Sequence, residues 1–125
     1  MNTESARNKI LVVDDEPDML ELMMIVLTRK GYQSFGATNG ADAIIVNDKE
    51  NPALIILDLR MPGMDGIETL RQIREKDDKV QVIVLTGVGS PDIVKNVADL
   101  DVSECLRKPI DHDQLFDAIK AVLAR

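Results

Sequence analysis

The sequence predicts an α/β fold in which five strands alternate with five helices in a doubly wound parallel sheet, (βα)5. Three unbroken apolar runs, at residues 10–13, 54–57 and 82–85, are typical of parallel strands covered on both faces. Two further runs, at residues 32–35 and 104–107, are half polar. Segments of helical length separate the runs, so each strand is followed by a crossover helix.

The helical segments begin and end at residues with matching conformational preferences. Pro17 suits the first position of a helix over residues 18–30, and Gly31 suits its end. The later helices have their own start signals. These are Asn39 with Asp42, Asp65 with Glu68, Ser90 with Pro91, and Asp111 with Gln114.

The polarity of the runs also predicts the order of the strands. The first, third and fourth runs are wholly apolar and should be central, whereas the half-polar second and fifth should be edges. This favours the order 2-1-3-4-5 over 3-2-1-4-5, which would bury the second strand.

Composition limits the classes of function. The 125 residues and 13.8 kDa suffice for one domain, predicted over residues 9–125 after an N-terminal extension, residues 1–8. A net charge of −7 argues against direct nucleic-acid binding. One cysteine excludes an internal disulfide, and the chain has neither a signal-peptide pattern nor a membrane-spanning run. We expect a cytoplasmic protein that does not bind membranes.

Five polar residues leave the carboxyl ends of the predicted strands. They are Asp14 and Asp15 after the first strand, Asp58 after the third, Thr86 after the fourth and Lys108 after the fifth. Taken singly, each is an ordinary turn or cap residue. Together they converge on the edge where strand order reverses, which is the usual ligand site of such a sheet.

Charge repulsion indicates what this edge binds. Two like charges about 4 Å apart repel by roughly 4 kcal/mol at an effective dielectric of about 20, so three carboxylates would be a poor structural device. Mg²⁺ would remove the repulsion, and no cluster of Cys and His suggests a softer metal. One carboxylate could then attack phosphorus, with Lys108 and Thr86 donating to the phosphoryl oxygens.

These residues resemble the signature of response-regulator receiver domains. The matching motifs are Asp14-Asp15, the segment from Asp58 to Gly66 (DLRMPGMDG), Thr86-Gly87 and Lys108-Pro109, and the similarity runs from Lys9 to about Leu123. The resemblance implies the flavodoxin-like receiver fold with a phosphoacceptor at Asp58. It also implies that Mg²⁺ is held by Asp14, Asp15, Asp58 and the backbone carbonyl of Arg60, and that Lys108-Pro109 is cis.

The same resemblance implies partners. The phosphoryl donor would be a phosphohistidine on a sensor histidine kinase or a histidine phosphotransfer protein. A downstream effector domain or protein would read the phosphorylated state, and a homodimer through the fourth helix, fifth strand and fifth helix is a further expectation. The chain would catalyse its own phosphorylation and dephosphorylation and would not be a turnover enzyme.

The sequence departs from the family pattern in three places. Cys105 stands where an aromatic is usual, Asp101-Val102 replaces a small pair before the last strand, and Gly87 stands where alanine is commoner. Because Cys105 cannot turn a ring inward, we expect the switch to use the loop over residues 87–90 and a helix over residues 91–100. The alternative is that Cys105 is simply a small core residue with no role beyond packing.

Other functions fit the sequence less well. A haloacid-dehalogenase-like phosphatase resembles a D-x-D signature, whereas Arg60 occupies the third position here. A nucleotide-binding module would need glycines after the first strand, where Asp14-Asp15 would repel phosphate. His112 lies between two aspartates at a predicted helix start, which suits an exposed residue better than a phosphotransfer histidine. A degenerate receiver that acts only as an interaction module would not need the intact acidic pair and Lys108.

Overall fold

The computed structural model describes residues 8–59, 66–87 and 99–125. Within them, five strands form one parallel sheet in the order β2-β1-β3-β4-β5, which confirms the predicted fold class and strand order. The strands are β1 (Lys9–Val13), β2 (Gln33–Ala37), β3 (Leu54–Asp58), β4 (Gln81–Thr86) and β5 (Glu104–Arg107).

The described residues form four helices. They are α1 (Pro17–Arg29), α2 (Gly40–Glu50), α3 (Gly66–Lys76) and α4 (His112–Leu123). The helix predicted over residues 91–100 lies mostly outside the described residues, so α4 is the helix that the sequence predicts as the fifth. Residues 1–7 of the predicted extension and the predicted cap at Asp65 also lie outside them.

Four predicted helix boundaries are confirmed by backbone geometry or by capping hydrogen bonds. Pro17 is the first residue of α1, and Gly31 follows the helix with a φ of +96°, a value that glycine adopts without strain. The side chain of Asn39 accepts a hydrogen bond from the backbone N–H of Asp42. Asp111 caps α4 in the same way.

The two faces of the sheet are buried in separate apolar cores because successive residues of a strand point to opposite sides. In β3, Ile55 and Leu57 face α2 and α3, whereas Leu54 and Ile56 face α1 and α4. All four side chains are fully buried. The sheet is therefore covered on both faces, as its apolar runs predict.

Burial separates the central strands from the edges. Every residue of β3 is buried, while three of the four residues of β5 are exposed. The half-polar runs therefore predicted the two edge strands correctly. Cys105 is one of the exposed residues of β5, so the alternative that it is a small core residue is wrong. In the part of the chain that the structure describes, no helix has both the length and the apolar character needed to cross a membrane.

Candidate functional site

The register of β1 against β3 brings three carboxylates together. Val13, the last residue of β1, pairs with Leu57, so Asp14 and Asp58 both lie at the same end of neighbouring strands. A carboxylate oxygen from each of Asp14, Asp15 and Asp58 lies within 4.8 Å of the others. The predicted acidic cluster is thus present at the carboxyl edge of the sheet.

Lys108 lies against the most buried of these carboxylates. Its Nζ is 2.7 Å from Oδ2 of Asp58, and the Asp58 side chain is only 3% exposed, compared with 34% for Lys108. A charge-assisted hydrogen bond of this length holds both groups in one arrangement. The ammonium group therefore offsets part of the negative charge that the cluster concentrates.

Thr86 ends β4, one residue beyond the position that pairs with Asp58. Leu85 is the register partner of Asp58, and Thr86 itself is buried. The backbone N–H of Lys108 donates to the carbonyl oxygen of Thr86 at 2.7 Å, which ties the ends of β4 and β5 together. The Lys108-Pro109 peptide bond is cis, as predicted.

The electrostatics of the cluster are unfavourable at Asp14. Partial burial raises the pKa of this carboxyl group, and the negative charges of Asp58 and Asp15 raise it further. A hydrogen bond from the backbone N–H of Glu16 and the charge of Lys108 act in the opposite direction without cancelling the rise. The ionised form of Asp14 is therefore destabilised in the folded protein.

This arrangement has the chemistry of a site for a hard cation and an anion. All three clustered donors are carboxylate oxygens, the ligand type that Mg²⁺ prefers, and a divalent cation would relieve the repulsion at Asp14. Arg60, the fourth predicted ligand, lies outside the described residues. Asp58 also accepts from a cationic donor, so an oxygen of Asp58 can act as a nucleophile while Lys108 stabilises a bound anion.

Gly66, the last residue of the DLRMPGMDG motif, makes a close backbone contact that the motif alone did not predict. A Cβ at this position would lie 2.5 Å from the Cα of Leu59 and 2.9 Å from the backbone oxygen of Asp58. Only glycine lets the start of α3 pack this closely against the segment that leaves β3. The available signal was a glycine at the start of a predicted helix, eight residues after the key aspartate.

A cleft of about 400 Å³ borders the site. Asp14 and Lys108 form part of its polar wall, and side chains from the first turns of α1 line its apolar wall. Its full lining is Asp14, Glu16, Met19, Met23, Leu85, Lys108, Pro109, Ile110 and His112. His112, an exposed residue at the start of α4, contributes to this lining and makes an edge contact with Phe116.

Known proteins share both the sequence and the fold. The chain is 39% identical over 115 residues to sporulation initiation phosphotransferase F of Bacillus subtilis, covering 92% of this chain and 93% of that protein. It is also 39% identical over 115 residues to transcriptional regulatory protein GlrR of Escherichia coli. That match covers 91% of this chain and 26% of the longer relative.

The solved structures lead to the same family. Response regulator protein TrrA from Thermotoga maritima, solved in complex with Mg(2+)-BeF, superposes with a TM-score of 0.80 at 33% identity, covering 92% of this chain and 98% of that one. A family model for the response regulator receiver domain matches residues 10–120. The chain therefore belongs to the response regulator receiver domain family.

Proposed function

We propose that Asp58 accepts a phosphoryl group from a phosphohistidine in a Mg²⁺-dependent reaction. The single observation that carries this proposal is the contact between the buried Asp58 carboxylate and Lys108, at 2.7 Å, beside two further acidic side chains. A buried nucleophilic carboxylate with a cation on one side and metal ligands on the other suits phosphoryl transfer, in which catalysis is largely positioning and charge neutralisation.

The proposed chemistry assigns a role to each side chain. An Asp58 oxygen attacks phosphorus, the bond from phosphorus to the donor imidazole nitrogen breaks, and that nitrogen keeps the electron pair. Lys108 and the Thr86 hydroxyl donate to the phosphoryl oxygens, so the ammonium group offsets part of the charge on the transferring group. Hydrolysis of the acyl phosphate would return the carboxylate and end the signal. Because the phosphorylated form is itself the output, we propose a signalling domain and not a turnover enzyme.

Asp14, Asp15 and Asp58 would hold the metal, with the carbonyl of Arg60 as a further proposed ligand. The oxygen-only donor set and the raised pKa of Asp14 support this assignment. So does the 33% identity to a protein solved with Mg(2+)-BeF. When bound, Mg²⁺ supplies positive charge beside the transferring phosphoryl group.

We further propose the partners of the reaction. The donor is a sensor histidine kinase or a histidine phosphotransfer protein, and the output is an effector domain or protein in the cytoplasm. Relatives such as GlrR, named a transcriptional regulatory protein, support an effector of that kind. A homodimer through the predicted fourth helix, β5 and α4 remains a prediction.

The proposal is tested by substituting the acceptor. Asp58→Asn should abolish phosphorylation by acetyl phosphate in the presence of Mg²⁺. Mass spectrometry of the intact protein measures the added phosphoryl group. Asp48→Asn is the matched control, because Asp48 is an exposed carboxylate on α2 whose salt bridge, among the described residues, is with the exposed Lys76. The control should be phosphorylated to the same extent as the parent. Omitting Mg²⁺ should suppress phosphorylation of the parent.

Two results would count against the proposal. A phosphorylated Asp58→Asn protein in equal yield would remove Asp58 from the acceptor role. Sustained release of phosphate from a phosphomonoester would favour the haloacid-dehalogenase-like alternative. Such a phosphatase hydrolyses its substrate repeatedly, whereas a receiver domain is not expected to do so.

A further inference from the structure

We propose that two copies of this chain associate through antiparallel pairing of their α1 helices. The outer face of α1 carries Asp18, Leu22, Ile25 and Arg29, spaced by four, three and four residues. Residues with this spacing form one stripe along a helix. Two apolar side chains thus occupy the centre of the stripe, with an acidic and a basic residue at its ends.

The stripe points away from the core of the protein. Leu20 and Leu27 are the buried residues of α1, and they lie on the side of the helix opposite the stripe. Leu22 is 47% exposed and Ile25 is 43% exposed, and the two side chains are neighbours on the same face of the helix. Within the described chain, nearly half of each of these two side chains is left in contact with solvent.

The stripe is complementary to itself only in the antiparallel orientation. A two-fold axis midway between Met23 and Met24 sets Leu22 against the partner's Ile25. The same axis sets Asp18 against the partner's Arg29. Both contacts occur twice, as in an isologous interface. A parallel pair would instead bring Asp18 against its own copy, and like charges repel.

The flanking positions are compatible with this pairing. On one side Met19, which is 49% exposed, would face the partner's Val26, and on the other Glu21 would face the partner's Thr28. Neither flank brings like charges together. A groove of about 620 Å³, lined in part by Ile25 and Arg29, runs beside the stripe and leaves room for side chains of the second helix.

The charged ends of the stripe are free to pair. Within the residues that the structure describes, neither Asp18 nor Arg29 belongs to a salt bridge, and both are exposed. One pair of 13-residue helices makes a small interface, so the association should be weak and reversible. It needs no phosphoryl group, and Asp58→Asn should leave it unchanged.

Sedimentation velocity of the full chain, from about 10 µM to about 1 mM, is the first measurement, because small interfaces dissociate in this range. The parent should shift from monomer to dimer, and Leu22→Asp should remain a monomer. Ile45→Asp is the matched control, because Ile45 is a 61% exposed apolar residue on α2. The control should dimerise like the parent, with circular dichroism confirming that every variant is folded.

Charge reversal provides a sharper test of the geometry. Asp18→Arg and Arg29→Asp should each weaken self-association about tenfold, because each replaces two attractive contacts by two repulsive ones. An equimolar mixture of the two variants should regain association at parental strength, since both cross-contacts in the mixed dimer are attractive. A general apolar surface would not show this recovery.

Three outcomes would overturn the proposal. The first is a parent that stays monomeric throughout the range, and the second is equal loss of the dimer in Leu22→Asp and Ile45→Asp. The third is a mixture that associates no better than its components. A monomeric parent in which Leu22→Asp slows phosphorylation by a phosphohistidine donor would assign the stripe to a helix of that donor instead.

Discussion

At the scale of single residues, the ionised carboxylate of Asp14 is electrostatically unfavourable in the site. This carboxylate is partly removed from water and lies beside two others, and both effects raise its pKa above the ordinary value of 3.8. The position of the residue could be predicted, because it directly follows an apolar run. The size of its burial could not, because that depends on how neighbouring strand ends pack.

Asp14→Asn should stabilise the metal-free protein at neutral pH, by about 1 kcal/mol or less because solvent still screens a half-buried group. A carboxyl group with a raised folded pKa binds its proton more tightly in the folded state, so the parent loses stability as pH rises through that pKa. The variant stays neutral and should avoid this loss.

Urea unfolding without metal checks this prediction. The variant's advantage should be present at neutral pH and absent below pH 3.8, where the parent carboxyl group is protonated in both states. An advantage of equal size at both pH values would mean that packing, and not charge, is responsible. Added Mg²⁺ should stabilise the parent more than the variant.

Asp101 shows a second residue-scale effect, in the backbone. Its φ is +57°, in the left-handed region, and its carbonyl oxygen accepts a hydrogen bond from Arg74. The sequence showed that Asp101-Val102 departs from the small pair usual in the family. It could not show that Asp101 adopts a positive φ, a conformation that aspartate tolerates better than most residues.

Asp101→Gly should therefore be more stable than Asp101→Ala by about 1 kcal/mol, because alanine is strained at positive φ. The control is the same pair of substitutions at Asp48, inside α2, where alanine should be the more stable by a similar amount. Thermal unfolding of the four variants measures both differences. If the glycine variant were the more stable, or the less stable, at both positions, φ would not be what decides the order of stability.

At the scale of elements, the apolar runs and cap residues were sufficient to predict the sheet. The wholly apolar runs form the central strands β1, β3 and β4, and the half-polar runs form the edge strands. Central strands are apolar because they are buried on both faces, where polar side chains are unfavourable. The close approach of α3 to β3 could not be predicted in this way. It depends on a distance between backbones, which a pattern of side chains does not encode.

Gly66→Ala should destabilise the protein by about 1–3 kcal/mol and slow phosphorylation of Asp58. The added Cβ would meet backbone atoms at 2.5 and 2.9 Å, and these can yield only if α3 or the end of β3 moves. Gly36→Ala is the control, because its Cβ would meet the side chains of Met24 and Leu20. Flexible side chains can rearrange, so the control should lose less stability and keep its phosphorylation rate.

Denaturant unfolding and the initial rate with acetyl phosphate test this pair. Equal loss of stability in both variants would show that the backbone contact at Gly66 is not special. If Gly66→Ala were less stable but were phosphorylated at the parental rate, the backbone contact at Gly66 would stabilise the fold without positioning Asp58.

At the scale of the whole molecule, the fold brings residues from four strand ends to one edge. Asp14, Asp58, Thr86 and Lys108 are separated by up to 94 positions along the chain, yet parallel strands place all their carboxyl ends together. This is why candidate site residues could be selected from the sequence once five strands were predicted. The contact between Lys108 and Asp58, and its length, required the structure.

The central claim is that the phosphoryl group is carried by Asp58, and chemical mapping tests it most directly. The protein is phosphorylated with Mg²⁺ and acetyl phosphate, reduced with borohydride, which converts an aspartyl phosphate into homoserine, and digested for peptide sequencing by mass spectrometry. We expect homoserine at position 58 alone, and none when Mg²⁺ is omitted. Homoserine at position 14 or 15, or a phosphorylated protein with no homoserine at position 58, would contradict the account.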